Sequence, residues 1–216
     1  TINAALEPLA LFGVYSSGFE TEEDQGASNA TIGISNFAVT GRHTTAGGDT
    51  VNPVSGISML VFPDSGGYAN NDYVMWVAGT SFDIENAFGG LYLDLDIHID
   101  TEAGSDFFYI CLILDDGIAR YNANGTLSGN TDGWTHRNID MSWALELGSL
   151  TATPAIIFSA DEYIAGSGGV FDNISVTLNP FFLAPPGQPS VVNYGSTIPL
   201  SWAPPNPSGR ASYSVG

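Results

Sequence analysis

The chain has 216 residues, with 23 acidic side chains against only 4 arginines and no lysine, so its formal net charge is −19. This charge argues against binding to nucleic acid or to anionic lipid surfaces, because neutralising phosphates requires Lys and Arg. No run of 18 apolar residues predicts a membrane span. The single cysteine, Cys111, excludes an intrachain disulfide framework.

Short strands separated by turn residues are predicted along most of the chain, and helical periodicity is almost absent. We expect about nine or ten strands, which favours an all-β fold, an antiparallel jelly-roll β-sandwich. The predicted strands are 31–39, 56–62, 72–78, 91–100, 106–114, 118–123, 134–143, 155–160 and 170–178.

The segment "LYLDLDIHID", residues 91–100, is the clearest of these strands. Its aliphatic side chains alternate with Tyr92, Asp94, Asp96, His98 and Asp100, which is typical of a sheet with one face in the core and one face in water. The first four of these polar residues are the candidate ligand-binding residues, since sugar sites pair an aromatic platform with a few polar groups. The alternative is a solvated polar face without a ligand.

The domain organisation follows from changes in composition. We expect an N-terminal extension at 1–14, the β-sandwich at 15–178, a proline-rich linker at 179–190 and a separate segment at 191–216. The first residues lack an initiator Met and a basic region, which predicts a mature terminus left by signal-peptide removal and therefore an extracellular protein.

Five stretches carry a resemblance to a known group of proteins: "GFETEEDQG", "LYLDLDIHI", "DFFYICLILDDG", "DGWTHRNIDMS" and "GGVFDNISVTL". In this order they resemble the extracellular jelly rolls that include galactose-binding-like carbohydrate-binding modules and MAM domains. The resemblance implies a non-catalytic binding or adhesion module at the cell surface, with a glycan or another cell-surface ligand as partner. Signatures of hydrolases, zinc proteases and nucleotide enzymes are absent from the sequence, so we predict no catalytic residues.

A structural calcium ion is also implied by this resemblance. In such jelly rolls an acidic residue from the first strand and one from the last hold the cation, and the matching residues are Glu20 and Asp172. Asp49 and carbonyl groups of "TTAGGDT" would complete the oxygen shell that calcium prefers. The alternative is that Asp172 and Asn173 cap a bulge or accept backbone hydrogen bonds.

The last segment, "PGQPSVV...GSTIPLSWAPPNPSGRASYSV", is similar to the first strands of a fibronectin type III domain, with Trp202, Tyr213 and Val215 at matching positions. A second hypothesis for the whole chain follows from its ends. The terminal segments would add strands to a neighbour's sheet, which makes the protein a self-assembling subunit of an extracellular filament, sheath or surface layer.

Overall fold

The computed structural model describes residues 12–20, 27–32, 36–64, 67–85, 87–163, 165–180, 190–191 and 200–201. The chain divides into two compact units, Thr1–Pro180 and Phe181–Gly216. In the second unit, β16 (Ser190–Val191) pairs antiparallel with β17 (Leu200–Ser201). The positions matched to a fibronectin type III domain and most of both terminal segments lie outside the described residues, so those predictions stay predictions.

The regular secondary structure described in the first unit consists almost entirely of strands. They are β1 (Phe12–Ser17), β2 (Ala27–Ile32), β3 (Ala38–Thr40), β4 (His43–Thr44), β5 (Thr50–Val51), β6 (Met59–Phe62), β7 (Tyr73–Val77), β8 (Phe82–Asp83), β9 (Ala87–Asp100), β10 (Phe107–Leu114), β11 (Ala119–Arg120), β12 (Thr126–Leu127), β13 (Thr135–Asp140), β14 (Thr151–Ser159) and β15 (Gly168–Pro180). Two 3-10 helices, Ala123–Gly125 and Ser142–Leu147, interrupt them. None of the helices in the described part of the chain is long and apolar enough to cross a membrane.

The first sheet has six strands in the order β13-β9-β15-β6-β3, and β1 also pairs with β15. Strand β15 pairs with β9 along one edge. On its other edge, β6 pairs with Gly169–Phe171 and β1 pairs with Ile174–Leu178. The opening and closing strands of the sandwich are therefore neighbours. A bulge in β15, between Asp172 and Ser175, separates the two pairings.

The second sheet has seven strands in the order β11-β10-β14-β7-β2, with β12 pairing to β10 and β8 to β14. All of these pairings are antiparallel. The predicted all-β, antiparallel jelly-roll β-sandwich is confirmed.

The core lies between the two sheets. Alternation along β9 turns Leu91, Leu93, Leu95, Ile97 and Ile99 inward, and each is at most 2% exposed. They meet an aromatic cluster in which neighbouring ring centroids lie 4.6 to 5.7 Å apart, formed by Phe62, Phe108, Phe158 and Phe171. Burying each of these side chains stabilises the fold by roughly 1.5–3 kcal/mol.

Several predicted strands differ from the structure in their limits. The strand expected at 134–143 ends at Asp140, because the Asp140 carboxylate accepts a hydrogen bond from the Ser142 amide and the chain turns into a 3-10 helix. The strand expected at 31–39 corresponds to parts of β2 and β3. The first observed strand, β1, precedes the stretch at 18–26 that was expected to open the sandwich, and residues 21–26 of that stretch lie outside the described residues.

Candidate functional site

A row of polar side chains lies on the outer face of the six-stranded sheet, where β9 pairs with β13. The register places Asn138 opposite Asp94 and His136 opposite Asp96. Asn138 Nδ2 donates to Asp94 Oδ1 at 2.7 Å. His136 Nδ1 lies 3.1 Å from Asp96 Oδ1, and its Nε2 lies 3.4 Å from Asp94 Oδ1. With half-buried Tyr92 on the same face, we call these five residues the acidic face.

Three of the four predicted ligand residues, Tyr92, Asp94 and Asp96, are therefore brought together. His98 shares their face of the strand but contacts the edge of the Trp134 ring, with centroids 6.1 Å apart. Trp134 in turn packs against a small apolar cluster and donates its indole N–H to the Asn52 carbonyl at 3.0 Å. The ligand role of these four residues stays a prediction.

Burial lowers the pKa of His43, which lies in β4 and is 6% exposed, and the charge of His98 lowers it further. The hairpin formed by β4 and β5 contributes Val51 to the same apolar cluster. His98 is therefore flanked by this cluster on one side, but it is partly exposed, as are Tyr92, Asp94 and Asp96.

The carboxylates of Glu20 and Asp172 both bind the loop before β6. Asp172 is completely buried, and its Oδ2 accepts hydrogen bonds from the amides of Val54 at 2.8 Å and Ser55 at 3.1 Å. Glu20 Oε1 accepts from the amides of Ile57 at 2.9 Å and Ser58 at 3.1 Å. We call residues 52–58 the strap.

The second oxygen of Asp172 accepts the amide of Asn173 at 2.7 Å, at the bulge of β15. Asn173 has a positive φ of 51°, and its side chain donates to Asp96 Oδ2 at 2.8 Å. These contacts match the alternative to calcium binding, in which Asp172 and Asn173 cap a bulge or accept backbone hydrogen bonds. Asp49 lies in the exposed turn between β4 and β5, where its amide donates to Thr45 Oγ1 at 3.0 Å. Calcium binding by Glu20, Asp49 and Asp172 stays a prediction.

The outer face of the seven-stranded sheet has a different character. Its outward side chains on β7, β10 and β14 are Tyr73, Met75, Val77, Phe107, Tyr109, Cys111, Ile113, Thr151, Thr153, Ala155, Ile157 and Ser159. None of these is charged. We call this surface, together with Tyr121, the aromatic face.

The aromatic rings of this face form a row on the β10 side. Phe107 and Tyr109 stack with centroids 5.9 Å apart, and Tyr109 and Tyr121 lie 4.4 Å apart. Tyr121 is 48% exposed, so the row is open to water at that end. Tyr73 lies beyond β14, two strands away, which corresponds to roughly 10 Å.

Burial dominates the electrostatics of the aromatic face. It raises the pKa of Tyr73 and of Tyr109, and it raises the pKa of the Cys111 thiol to about 12. Each shift favours the neutral form, because a charged group loses hydration there. The aromatic face is thus a surface that excludes charge while keeping phenol hydroxyls as hydrogen-bonding groups.

A third group of side chains lies at one end of the sandwich, in the loops after β9 and β14. Carboxylate oxygens of Glu102, Asp106 and Asp161 all lie within 4.8 Å of one another, and we call these residues the loop-end cluster. Asp106 is fully buried and accepts hydrogen bonds from the Tyr68 hydroxyl and, at 2.7 Å, from the Asp161 amide. The cluster presents the oxygen ligands that a metal ion requires.

Glu102 extends from the loop-end cluster into a cleft of about 410 Å³ that Ala46, Gly166 and Ser167 also line. Its Oε2 is buried and has no hydrogen-bond partner among the described residues. Burial raises the pKa of Glu102, and the charges of Asp161 and Asp106 raise it further.

Sequence reasoning missed several of these residues. His136 and Asn138 alternate with Ile139 in "THRNID", which does indicate one outward row, but the pairing of that row with β9 cannot be read from the chain. The aromatic face was missed because β10 is apolar on both sides, a pattern typical of a strand covered on both faces.

Solved carbohydrate-binding modules are similar to this chain in fold. The C-terminal family 22 module of Clostridium thermocellum Xyn10B overlays with a TM-score of 0.44 and 14% identity, covering 76% of this chain and 92% of that module. The CBM22-1 xylan-binding domain of Paenibacillus barcinonensis Xyn10C gives 0.43 and 13%, covering 82% and 100%. The family 11 module of C. thermocellum, in complex with a β-1,3-1,4-mixed-linked tetrasaccharide, gives 0.43 and 14%, covering 76% and 95%.

No protein-family model matches the sequence, and the comparison with curated proteins gives no match. The structural overlays are partial and their identities low.

Proposed function

We propose that the protein is a non-catalytic, extracellular glycan-binding module that holds an uncharged saccharide chain on its aromatic face. The observation that carries this proposal is the open row formed by Phe107, Tyr109 and Tyr121, with Tyr73 across β14. Aromatic rings offer flat apolar area at low entropic cost, and their hydroxyls supply hydrogen bonds at the rim.

An uncharged ligand is favoured by two features of charge. The outward side chains of β7, β10 and β14 carry no charge among the described residues, so nothing on them would neutralise an ionic sugar. The net charge of −19 also repels polyanionic glycans at moderate ionic strength.

The acidic face, where the sequence places the ligand residues Tyr92, Asp94, Asp96 and His98, is the competing location. Its Asp94 carboxylate already accepts a hydrogen bond from Asn138, and its Asp96 carboxylate accepts one from Asn173. The His136 ring also lies within contact distance of Asp96. A sugar binding there would have to share these carboxylates with those partners, whereas the outward side chains of β7, β10 and β14 are uncharged.

Affinity electrophoresis in gels containing xylan or mixed-linkage β-glucan tests the proposal, with an anionic polysaccharide as a further arm. Tyr121→Ala should weaken binding by about tenfold, since Tyr121 is the most exposed ring of the row and truncating an aromatic anchor commonly costs about 1 kcal/mol or more. Tyr163→Ala is the matched control, because Tyr163 is 73% exposed on the loop after β14 and its ring is not in contact with Phe107, Tyr109 or Tyr121.

The two faces are separated by a third variant. Tyr92→Ala should bind like wild type if the aromatic face holds the sugar. Loss of binding in Tyr92→Ala with unchanged binding in Tyr121→Ala would place the ligand on the acidic face and contradict the proposal.

We further propose that a calcium ion stabilises the protein at the loop-end cluster. This rests on the three converging carboxylates and on the buried Glu102 oxygen that has no partner among the described residues. Hard cations such as calcium prefer a set made only of oxygen ligands.

Thermal unfolding measured against calcium concentration checks this second proposal. The melting temperature should rise with the logarithm of calcium concentration in wild type. Asp161→Asn should abolish the rise, whereas Glu162→Gln, which alters an exposed acid next to it, should preserve it. An identical rise in both variants would show that the ion binds elsewhere.

A further inference from the structure

The strap lies at the position where the sequence resemblance predicts a calcium ion, between the opening and closing strands. Strands β1 and β6 share one edge of β15 and leave a gap at its bulge. Glu20 follows the end of β1, the strap leads into β6, and Asp172 lies at the bulge itself. The pairing register therefore brings both carboxylates to this gap.

The groups that face these carboxylates are backbone amides. Val54 and Ser55 donate to Asp172, and Ile57 and Ser58 donate to Glu20. Pairs of successive N–H groups form concave anion-binding nests. A cation placed between the two carboxylates would meet the positive ends of these N–H groups, so the residues present do not fit a calcium ion at this position.

Hydrogen bonding, and not apolar burial, holds the strap. Its two large apolar side chains point into water, since Val54 is 47% exposed and Ile57 is 75% exposed. The Ser55 hydroxyl adds a bond of 2.6 Å to Asn173 Oδ1. Hydrogen bonds to an ionised carboxylate are roughly twice as strong as those between neutral groups.

Gly56 makes this geometry possible. It has a φ of +61° between the two donor pairs, and a Cβ at this position would collide with the Glu20 carboxylate. A larger residue here would be strained at this φ and would push the flexible Glu20 side chain away from the strap amides.

We infer that the strap replaces a cation as the staple between the opening and closing strands, so that this junction is held by two carboxylates and four backbone amides without an ion. The same staple is linked to the acidic face, because the Asn173 side chain bonds to both the Ser55 hydroxyl and Asp96. The chemistry needed is present within the chain, and no metal supply is required for this junction.

A double-mutant cycle tests the inference by thermal unfolding and by limited proteolysis of the strap. Gly48→Ala is the matched control, because Gly48 also has a positive φ, of +90°, but open space around its Cβ position. Gly48→Ala should lower the melting temperature by about 2–6 °C from backbone strain alone. Gly56→Ala should lower it roughly twice as far and make the strap cleavable.

Repeating both glycine substitutions in a Glu20→Ala background shows whether the collision with Glu20 causes the larger effect of Gly56→Ala. In that background Gly56→Ala and Gly48→Ala should have equal effects, since the collision is removed and only the strain is left. An undiminished difference between them would mean that Glu20 does not hold the strap, which would overturn the inference.

Whether a cation binds at this junction is tested in the Asp161→Asn background, in which the loop-end cluster should no longer bind calcium. There, calcium or a chelator should change neither the melting temperature nor the cleavage of the strap. Calcium-dependent protection of the strap that disappears on adding Glu20→Ala would show that a cation does occupy the junction and would overturn the inference.

Discussion

The outward side chains of β9 include Asp94, Asp96 and Asp100, whereas those of β10 are Phe107, Tyr109, Cys111 and Ile113. Each strand lies inside its sheet rather than at an edge, and each turns an apolar row inward. The acidic face satisfies its charges with side chains from neighbouring strands, and the aromatic face has no charges to satisfy. The apolar surface that remains available to a ligand therefore lies on the aromatic face.

A charge introduced on the aromatic face should produce the largest loss of stability. Cys111 is completely buried there, and its site raises the thiol pKa to about 12, so an ionised group at this position is strongly disfavoured. Cys111→Asp should lower the free energy of unfolding at pH 7 by about 3–4 kcal/mol, which corresponds to roughly 10 °C in melting temperature.

Circular dichroism melts of Cys111→Asp and of the control Cys111→Ala measure this loss. The new carboxyl would have a raised pKa in the folded state, so its destabilisation is fully present above that pKa. It should disappear as the pH falls below the unfolded value of about 3.9. Equal melting temperatures for both variants at pH 7 would mean that the aromatic face tolerates charge.

The comparison of the two faces also shows what the sequence can predict. Alternation along 91–100 predicts the outward row of Tyr92, Asp94 and Asp96 correctly, because side chains in a strand point to opposite faces by geometry alone. The polar partners His136, Asn138 and Asn173 were not predicted as a group. They come from two other strands, and register depends on contacts that are distant in sequence.

Asp172 shows a second reason why the sequence alone does not predict the contacts of a polar residue. Its burial within a strand was evident from "GGVFDNISVTL", but a carboxylate can be satisfied by a cation or by amides. The choice depends on β1 and β6 sharing one edge of β15, which brings the strap to the bulge. No local pattern in residues 52–58 announces that arrangement.

Removing the histidine from the acidic face should have an intermediate effect. His136 lies between Asp94 and Asp96, and its side chain is 63% exposed. His136→Ala should lower the free energy of unfolding by about 1 kcal/mol, since the two carboxylates lose a shared partner in a solvent-exposed setting. Urea denaturation at pH 6 measures the loss, and high salt should reduce it.

Arg137→Ala is the control for this variant, because Arg137 is the adjacent exposed residue on β13. Glycan affinity should be the same in both variants. A selective loss of affinity in His136→Ala would count against the aromatic face as the binding surface.

The smallest effect on stability is expected at the edge strand β11 of the seven-stranded sheet, where Arg120 and Asp116 form a bidentate pair with bonds of 2.8 and 2.5 Å. The hydrogen bond from Arg120 lowers the pKa of Asp116 to about 2, and the Ile118 amide contributes further. Because the folded pKa is depressed, the resulting stability is present above the unfolded value near 3.9 and is lost as the pH falls towards 2.

Asp116→Asn should therefore give only a slight decrease in melting temperature at pH 7, and the difference from wild type should vanish near pH 2. The pair is exposed and screened by salt, so the entropy lost in ordering two side chains offsets most of its electrostatic attraction. Glycan affinity should stay unchanged, because Tyr121 and Tyr109 contact each other directly. A fall in affinity without a fall in stability would instead show that the charged pair belongs to the binding surface, and the contrast between the two faces would then be one of degree.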